Sequence, residues 1–217
     1  MADIFQEVDE EVRREKLKQI WERYSLAIIA ACVLLVAAIG GWRAYDWYIT
    51  REAAKAGARF ETAVSLMEQN KTKEAEAAFA EIAKDAPGGY PVLARFREAN
   101  AVAASDKGAA VKAYDALAGD GSVPPVFKDL AAVRAGIILV DTAQFSEMQR
   151  RLDPLAQSDR PYRHSARELL ALSAWRNNDT NAAKKYLDMI AKDVETPSGV
   201  RARADVLSAL IASTGRG

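Results

Sequence analysis

From Tyr24 to Trp42 run nineteen residues without a charge, among them Leu26-Ala27-Ile28-Ile29-Ala30-Ala31-Cys32-Val33-Leu34-Leu35-Val36, and nothing else in the sequence restricts the fold as strongly. As a helix rising about 1.5 Å per residue the segment covers roughly 28 Å, close to a hydrocarbon core of about 30 Å, so it predicts one membrane crossing. Trp21 and Tyr24 stand at one end, and Trp42, Tyr45, Trp47 and Tyr48 at the other. Amphipathic rings favour the headgroup layers, so both interfaces are marked.

A cleaved signal peptide has a shorter apolar stretch and a brief basic start, whereas this segment follows the acidic cluster Asp3, Glu7, Asp9, Glu10 and Glu11. Ile29-Ala30-Ala31-Cys32 has the form of a bacterial lipobox, but the apolar run continues past the cysteine, which argues against lipidation. Arg13, Arg14, Lys16, Lys18 and Arg23 precede the span, and Arg43, Arg51, Lys55 and Arg59 follow it. An excess of one basic residue points the N-terminus into the cytoplasm. Ala37 and Gly41 form a small-xxx-small pair of a kind expected by chance in an Ala-rich helix. The expected organisation is a cytoplasmic segment over 1–23, a transmembrane helix with interfacial flank over 24–48, and a helical-repeat domain over 49–217.

Ala dominates the rest of the chain, and Gly and Pro number only 12 and 7. Ala has the highest helix propensity, so the fold class is all-α. Lys+Arg and Asp+Glu both total 30, leaving no global field that would draw the chain to nucleic acid. Cys32 is the one cysteine and lies inside the apolar span, and His164 is the one histidine. Cysteine and two-histidine metal sites are thereby removed, and a catalytic triad would have to converge on His164 alone. No Gly-rich phosphate loop or nucleophile elbow is present, so no enzyme, cofactor or small-molecule substrate is expected.

Beyond Ile49 the helical pattern is punctuated by Asp85-Ala86-Pro87-Gly88-Gly89-Tyr90-Pro91, Gly119-Asp120-Gly121-Ser122-Val123-Pro124-Pro125, Ser158-Asp159-Arg160-Pro161 and Glu195-Thr196-Pro197-Ser198-Gly199. Shorter breaks fall midway, at Asn70-Lys71-Thr72, Ser105-Asp106-Lys107-Gly108, Thr142-Ala143-Gln144 and Asn177-Asn178-Asp179-Thr180. The result is about nine helices in pairs, the last unpaired. Arg51 to Gln69 forms the first of them, continuing from the span, and Val200 to Ala212 caps the end. Asn70-Lys71-Thr72 and Asn178-Asp179-Thr180 are also N-x-T sequons, but turn and capping preferences account for them.

The second helix of each pair carries Phe79 with Ile82, Tyr114 with Leu117, Leu152 with Leu155, and Tyr186 with Met189, at spacings of 35, 38 and 34 residues. Ala75, Ala110 and Ala182 stand four residues before the large side chain and make room for it. A period near 34 is the tetratricopeptide length, and Pro87 and Gly136 fall where that repeat places its closing proline and small first-helix residue. The expected fold is a degenerate tetratricopeptide-like solenoid of about four helix pairs with a capping helix. Such a solenoid binds segments of other proteins on the surface lined by its first helices. In that register Arg95 and Arg167 take equivalent inward positions, with His164 and Trp175 near the latter, and guanidinium groups at such places can clamp a carboxylate.

The acidic start Asp9-Glu10-Glu11, the aromatic entry from Trp21 to Tyr24, the span closing on Gly40-Gly41-Trp42-Arg43-Ala44-Tyr45 and the degenerate repeats together resemble the YfgM-like ancillary subunits of the bacterial Sec translocon. That resemblance implies an inner-membrane protein with its repeat domain in the periplasm. It also implies SecYEG and a membrane-anchored periplasmic chaperone of the peptidyl-prolyl isomerase type as partners. It carries no binding residues over. The competing readings are a repeat protein of cell division or envelope assembly, and a membrane-tethered enzyme working through carboxylates.

Overall fold

The computed structural model describes residues 3–214, with the side chains of 3–13, 16, 17, 20 and 214 outside the description. The acidic cluster, Arg13 and Lys16 therefore lie outside the described side chains. Nine α-helices, one 3-10 turn and no strand are found among the described residues. The chain divides into two units, Met1–Lys55 and Ala56–Gly217.

The first unit is the larger part of one helix, α1 (Asp3–Glu68). No proline interrupts it, and Gly40 and Gly41 are carried inside it. Its apolar stretch is long enough to cross a membrane, and none of that stretch is buried against protein. Leu26, Leu34 and Val36 are 84%, 71% and 68% exposed, a surface that water penalises and lipid does not. At its ends the Arg23 guanidinium lies 5.7 Å from the Tyr24 ring centre and that of Arg51 lies 5.2 Å from Trp47. Such cation–π pairs join a charge to an amphipathic ring, as an interfacial site requires.

The second unit takes the last turns of α1 as its first helix. There follow α2 (Thr72–Asp85), α3 (Tyr90–Val102), α4 (Lys107–Gly119), α5 (Pro125–Leu139), α6 (Phe145–Leu152), α7 (Arg163–Arg176), α8 (Thr180–Lys192) and α9 (Ser198–Thr214). Asn70 and Asn178 adopt left-handed φ of 61° and 62° and end α1 and α7. Lys71 N–H bonds the Leu66 carbonyl and Asp179 N–H that of Ala174, both at 2.9 Å, while the Asn N–H groups bond Met67 and Trp175. This is the Schellman arrangement with Asn in place of the usual Gly. The sequons thus serve as helix stops, and Asp179, rather than Thr180, caps α8 by accepting from Ala182 N–H.

Each pair closes on the large residue of its second helix. Phe79 meets Phe60 at 5.4 Å between ring centres and Tyr114 meets Phe96 at 5.9 Å. Phe79, Ile82, Tyr114, Leu117, Leu152 and Leu155 are all buried, with Ala75 and Ala110 at 0% exposure beside them. In α8 the stripe is displaced: Ala183, Tyr186, Leu187 and Ile190 are buried, while Ala182 and Met189 are only partly covered. Residues i, i+3, i+4 and i+7 share a face, and Ala183 and Ile190 complete that set where Ala182 and Met189 do not. The third pair also departs from expectation, because α6 stops at Leu152 and Leu155 lies in a 3-10 turn, Asp153–Leu155. Pro154 lacks the N–H an α-helix needs there, and the turn tightens instead. Gly136 lets α5 approach α6 closely, since a Cβ on it would stand 2.9 Å from Leu152 Cδ1.

Candidate interaction surface

Polar latches tie the first helix of a pair to the C-terminal end of its second helix or the turn just beyond it. Arg59 donates to Asp85 at 3.3 Å, Arg95 to Asp120 at 2.7 Å, and Arg167 to Asp193 at 2.7 Å. The arginines stand four residues before Ala63, Ala99 and Ala171, all fully buried small residues. The aspartates stand three residues beyond Ile82, Leu117 and Ile190, the last buried apolar residues of their helices. In the third pair the charges are exchanged and the position shifts: Asp129 on α5 receives Arg160 from the turn.

The aspartates are shaped for this role. The Asp120 carboxylate accepts from Ser122 N–H at 2.8 Å and Ser122 Oγ–H at 2.7 Å, and that of Asp193 accepts from Glu195 N–H at 3.1 Å. Ser122, with Arg95, holds the Asp120 carboxyl well below the usual carboxylate range, and Arg163 and Arg167 do the same for Asp193. Burial and the Arg163 charge lower His164, with Asp193 opposing. Thr196 donates to the Ile190 carbonyl at 2.8 Å, so His164 Nδ1, 3.3 Å away, is the donor to Thr196 Oγ1. On α8, desolvation together with the bond to Asp153 pushes the Tyr186 hydroxyl up to about 12.

His164 and Arg167 are therefore brought together around Asp193. Arg167 is 4% exposed, and its Nε donates to the Ala156 carbonyl at 2.8 Å. The carboxylate it clamps belongs to this chain. Arg95 belongs to another pair and retains partial exposure, and Trp175, two turns beyond Arg167 on α7, packs against the apolar core. Sequence reading missed Arg59, Asp85, Asp120 and Asp193. The signal was a recurring separation of 26, 25 and 26 residues between an arginine and an aspartate in three of the four pairs.

The outward faces of α3 and α5 differ from these latches. Leu93 and Ile137 are 40% and 49% exposed, and Arg97, Asn100 and Arg134 are exposed beside them. At the end of the unit, Arg203 on α9 bonds Glu168 on α7 at 2.8 Å, and Ala204, Leu207 and Ile211 bury the apolar edge of α9. Among the described residues no three His, Cys, Asp or Glu side chains converge to hold a metal.

Helix pairs of about 34 to 38 residues, nested large-on-small and closed by a terminal helix, define a tetratricopeptide-like solenoid, a class built for contact with other proteins. The chain belongs to the tetratricopeptide repeat-like domain family, whose pattern it matches over residues 18–169. The match begins in α1 and ends within α7. No curated protein and no solved structure matches the chain. Domains of this family are typically non-enzymatic scaffolds that mediate protein–protein contacts.

Proposed function

We propose that the protein is a membrane-anchored, non-enzymatic scaffold, an ancillary subunit of the Sec translocon that holds SecYEG and a membrane-anchored periplasmic chaperone of the peptidyl-prolyl isomerase type together during export. The observation that carries the scaffold reading is the pairing, in one chain, of an apolar helix with no protein covering it and a repeat unit of the tetratricopeptide type. The translocon as partner is supported by the resemblance in the aromatic entry, the Gly40-Gly41-Trp42 exit and the degenerate repeats.

On this reading residues 1–23 are cytoplasmic, 24–48 cross the bacterial inner membrane and 49–217 stand in the periplasm. Of the candidate groove positions Arg95, His164, Arg167 and Trp175, the partly exposed Arg95 is the first to substitute for direct partner contact, and the other three act through the turn and core they hold. Purification of the tagged full chain in mild detergent recovers SecYEG and the chaperone. Recovery of neither contradicts the assignment. A periplasm-active reporter fused after Gly217 is active, and a silent one reverses the orientation.

A further inference from the structure

We propose that α3 and α5 together form a docking face for an acidic, amphipathic segment of a partner protein, with Arg97 and Arg134 as the carboxylate-binding groups and Leu93 and Ile137 as the apolar anchors; this rests on the scaffold reading and gives the chemistry of what is bound. Ala99 and Gly136 are buried small residues at equivalent positions, and the buried Ala94 and Ala131, five residues before each, agree with that register. Six and two residues before Ala99 and Gly136 come Leu93 and Arg97 on α3, and Leu130 and Arg134 on α5; one residue after come Asn100 and Ile137. The same Leu-x-x-x-Arg element is thus presented twice, one repeat apart. On α1 the corresponding residues are Gly57 and Glu61, and on α7 they are Ser165 and the buried Leu169.

The two arginines differ from those that serve as latches. Arg95 and Arg167 hold aspartates, Arg176 binds the Val140 carbonyl at 3.0 Å, and Arg203 binds Glu168. Arg97 and Arg134 are exposed and make no ion pair or hydrogen bond among the described residues. Phe96 of α3 and Phe127 of α5 lie 6.2 Å apart, so the two helices are neighbours. Two carboxylates on one face of a segment, with apolar residues beside them, can meet both guanidinium groups at once. Arginine suits this role because its planar fork binds carboxylates in pairs of hydrogen bonds. Phe60 of α1 and Tyr90 of α3 are 6.1 Å apart, and Glu61 holds on α1 the position that Arg97 holds on α3. A negative segment that passes Arg97 therefore meets repulsion at α1, which bounds the site.

The test uses the full chain in detergent and three labelled peptides of about 18 residues, sharing one leucine stripe and carrying Glu, Lys or Gln at every polar position. Fluorescence anisotropy should show binding of the Glu peptide, weakening as salt rises from roughly 50 to 500 mM. The R97E/R134E double variant should bind the Glu peptide about tenfold or more weakly and gain binding of the Lys peptide, a reversal that misfolding does not produce. R97K/R134K should keep most of the affinity. Equal binding of the Glu and Lys peptides, or no change in either with R97E/R134E, overturns the proposal. So does sedimentation showing a dimer of the full chain that R97E/R134E dissolves, since the occupant would then be a second copy. If the Glu peptide fails while the tagged protein still recovers translocon components, this docking face falls and the scaffold reading stands. If the peptide behaves as expected and no translocon component is recovered, the translocon assignment falls alone.

Discussion

Replacing Asp193 with Asn removes the charge that Arg163 and Arg167 share and leaves the Arg167 guanidinium buried without a counterion. Stranding one partner of a buried pair is costly, and with Asp193 reachable by water the expected loss is about 2–3 kcal/mol. The equivalent Asp120→Asn and Asp85→Asn changes act at progressively more exposed latches, where solvent screens the charge and replaces the bond. Destabilisation therefore falls in the order Asp193, Asp120, Asp85, read as the shift in thermal midpoint of the full chain in detergent. Equal shifts at the three positions would show that the latches do not share this logic. His164 adds a pH dependence of definite sign. Its folded pKa lies below the unfolded value of about 6.5, so its contribution is complete above that pH and is lost as pH falls through the folded value. The aspartates, also lowered, lose theirs only below about pH 4. Between pH 7.5 and 5.5 the midpoint should fall, and His164→Asn should flatten that fall; a rise on acidification would contradict the assignment.

Helix ends and crossings carry the next set of consequences. At Asn178 the left-handed backbone disfavours a Cβ-bearing residue without a local hydrogen bond, so Asn178→Ala should cost about 1 kcal/mol while Asn178→Gly is neutral or better. At the α5–α6 crossing, Gly136→Val drives new atoms into Leu152, which has 0% exposure and nowhere to move, and should destabilise by about 1–3 kcal/mol. Both are measured by thermal unfolding, and a tolerated Gly136→Val would mean that the helices need not approach so closely. These elements also show how far sequence reading reached. Phe79 with Ile82 and Tyr114 with Leu117 were legible because a buried pair one turn apart has few alternatives. In α8, Met189 and Ile190 are both apolar, and periodicity over a short helix does not choose between them. The repeat spacing predicts one helix holding both Leu152 and Leu155, whereas Pro154 ends the α-helix at Leu152. The latches escaped because they join residues 25 to 31 apart, and a single charge on a helix face looks the same whether solvent or a distant partner receives it. Of the expected partner-facing set, the positions of Arg95 and Arg167 were found as equivalents, while their aspartates were not.

At the scale of the whole molecule, the apolar stretch of α1 and the α3–α5 face are both exposed among the described residues, for opposite reasons. The apolar face of α1 needs lipid, and its length suits one crossing. The α3–α5 face mixes exposed leucine and isoleucine with arginines that hold nothing, a composition that suits a removable partner better than a permanent core. The latches and Gly136 hold the pairs in register, and α9 closes the end, so the free face belongs to a framework already satisfied elsewhere. The most direct measurement is photocrosslinking in living cells from an amber-encoded benzophenone at Ile137 on α5, with exposed Lys112 on α4 as the comparison. A discrete protein adduct from Ile137 and none from Lys112 is expected; no adduct from Ile137, or the same adduct from both faces, would contradict a protein-binding role for the first-helix surface.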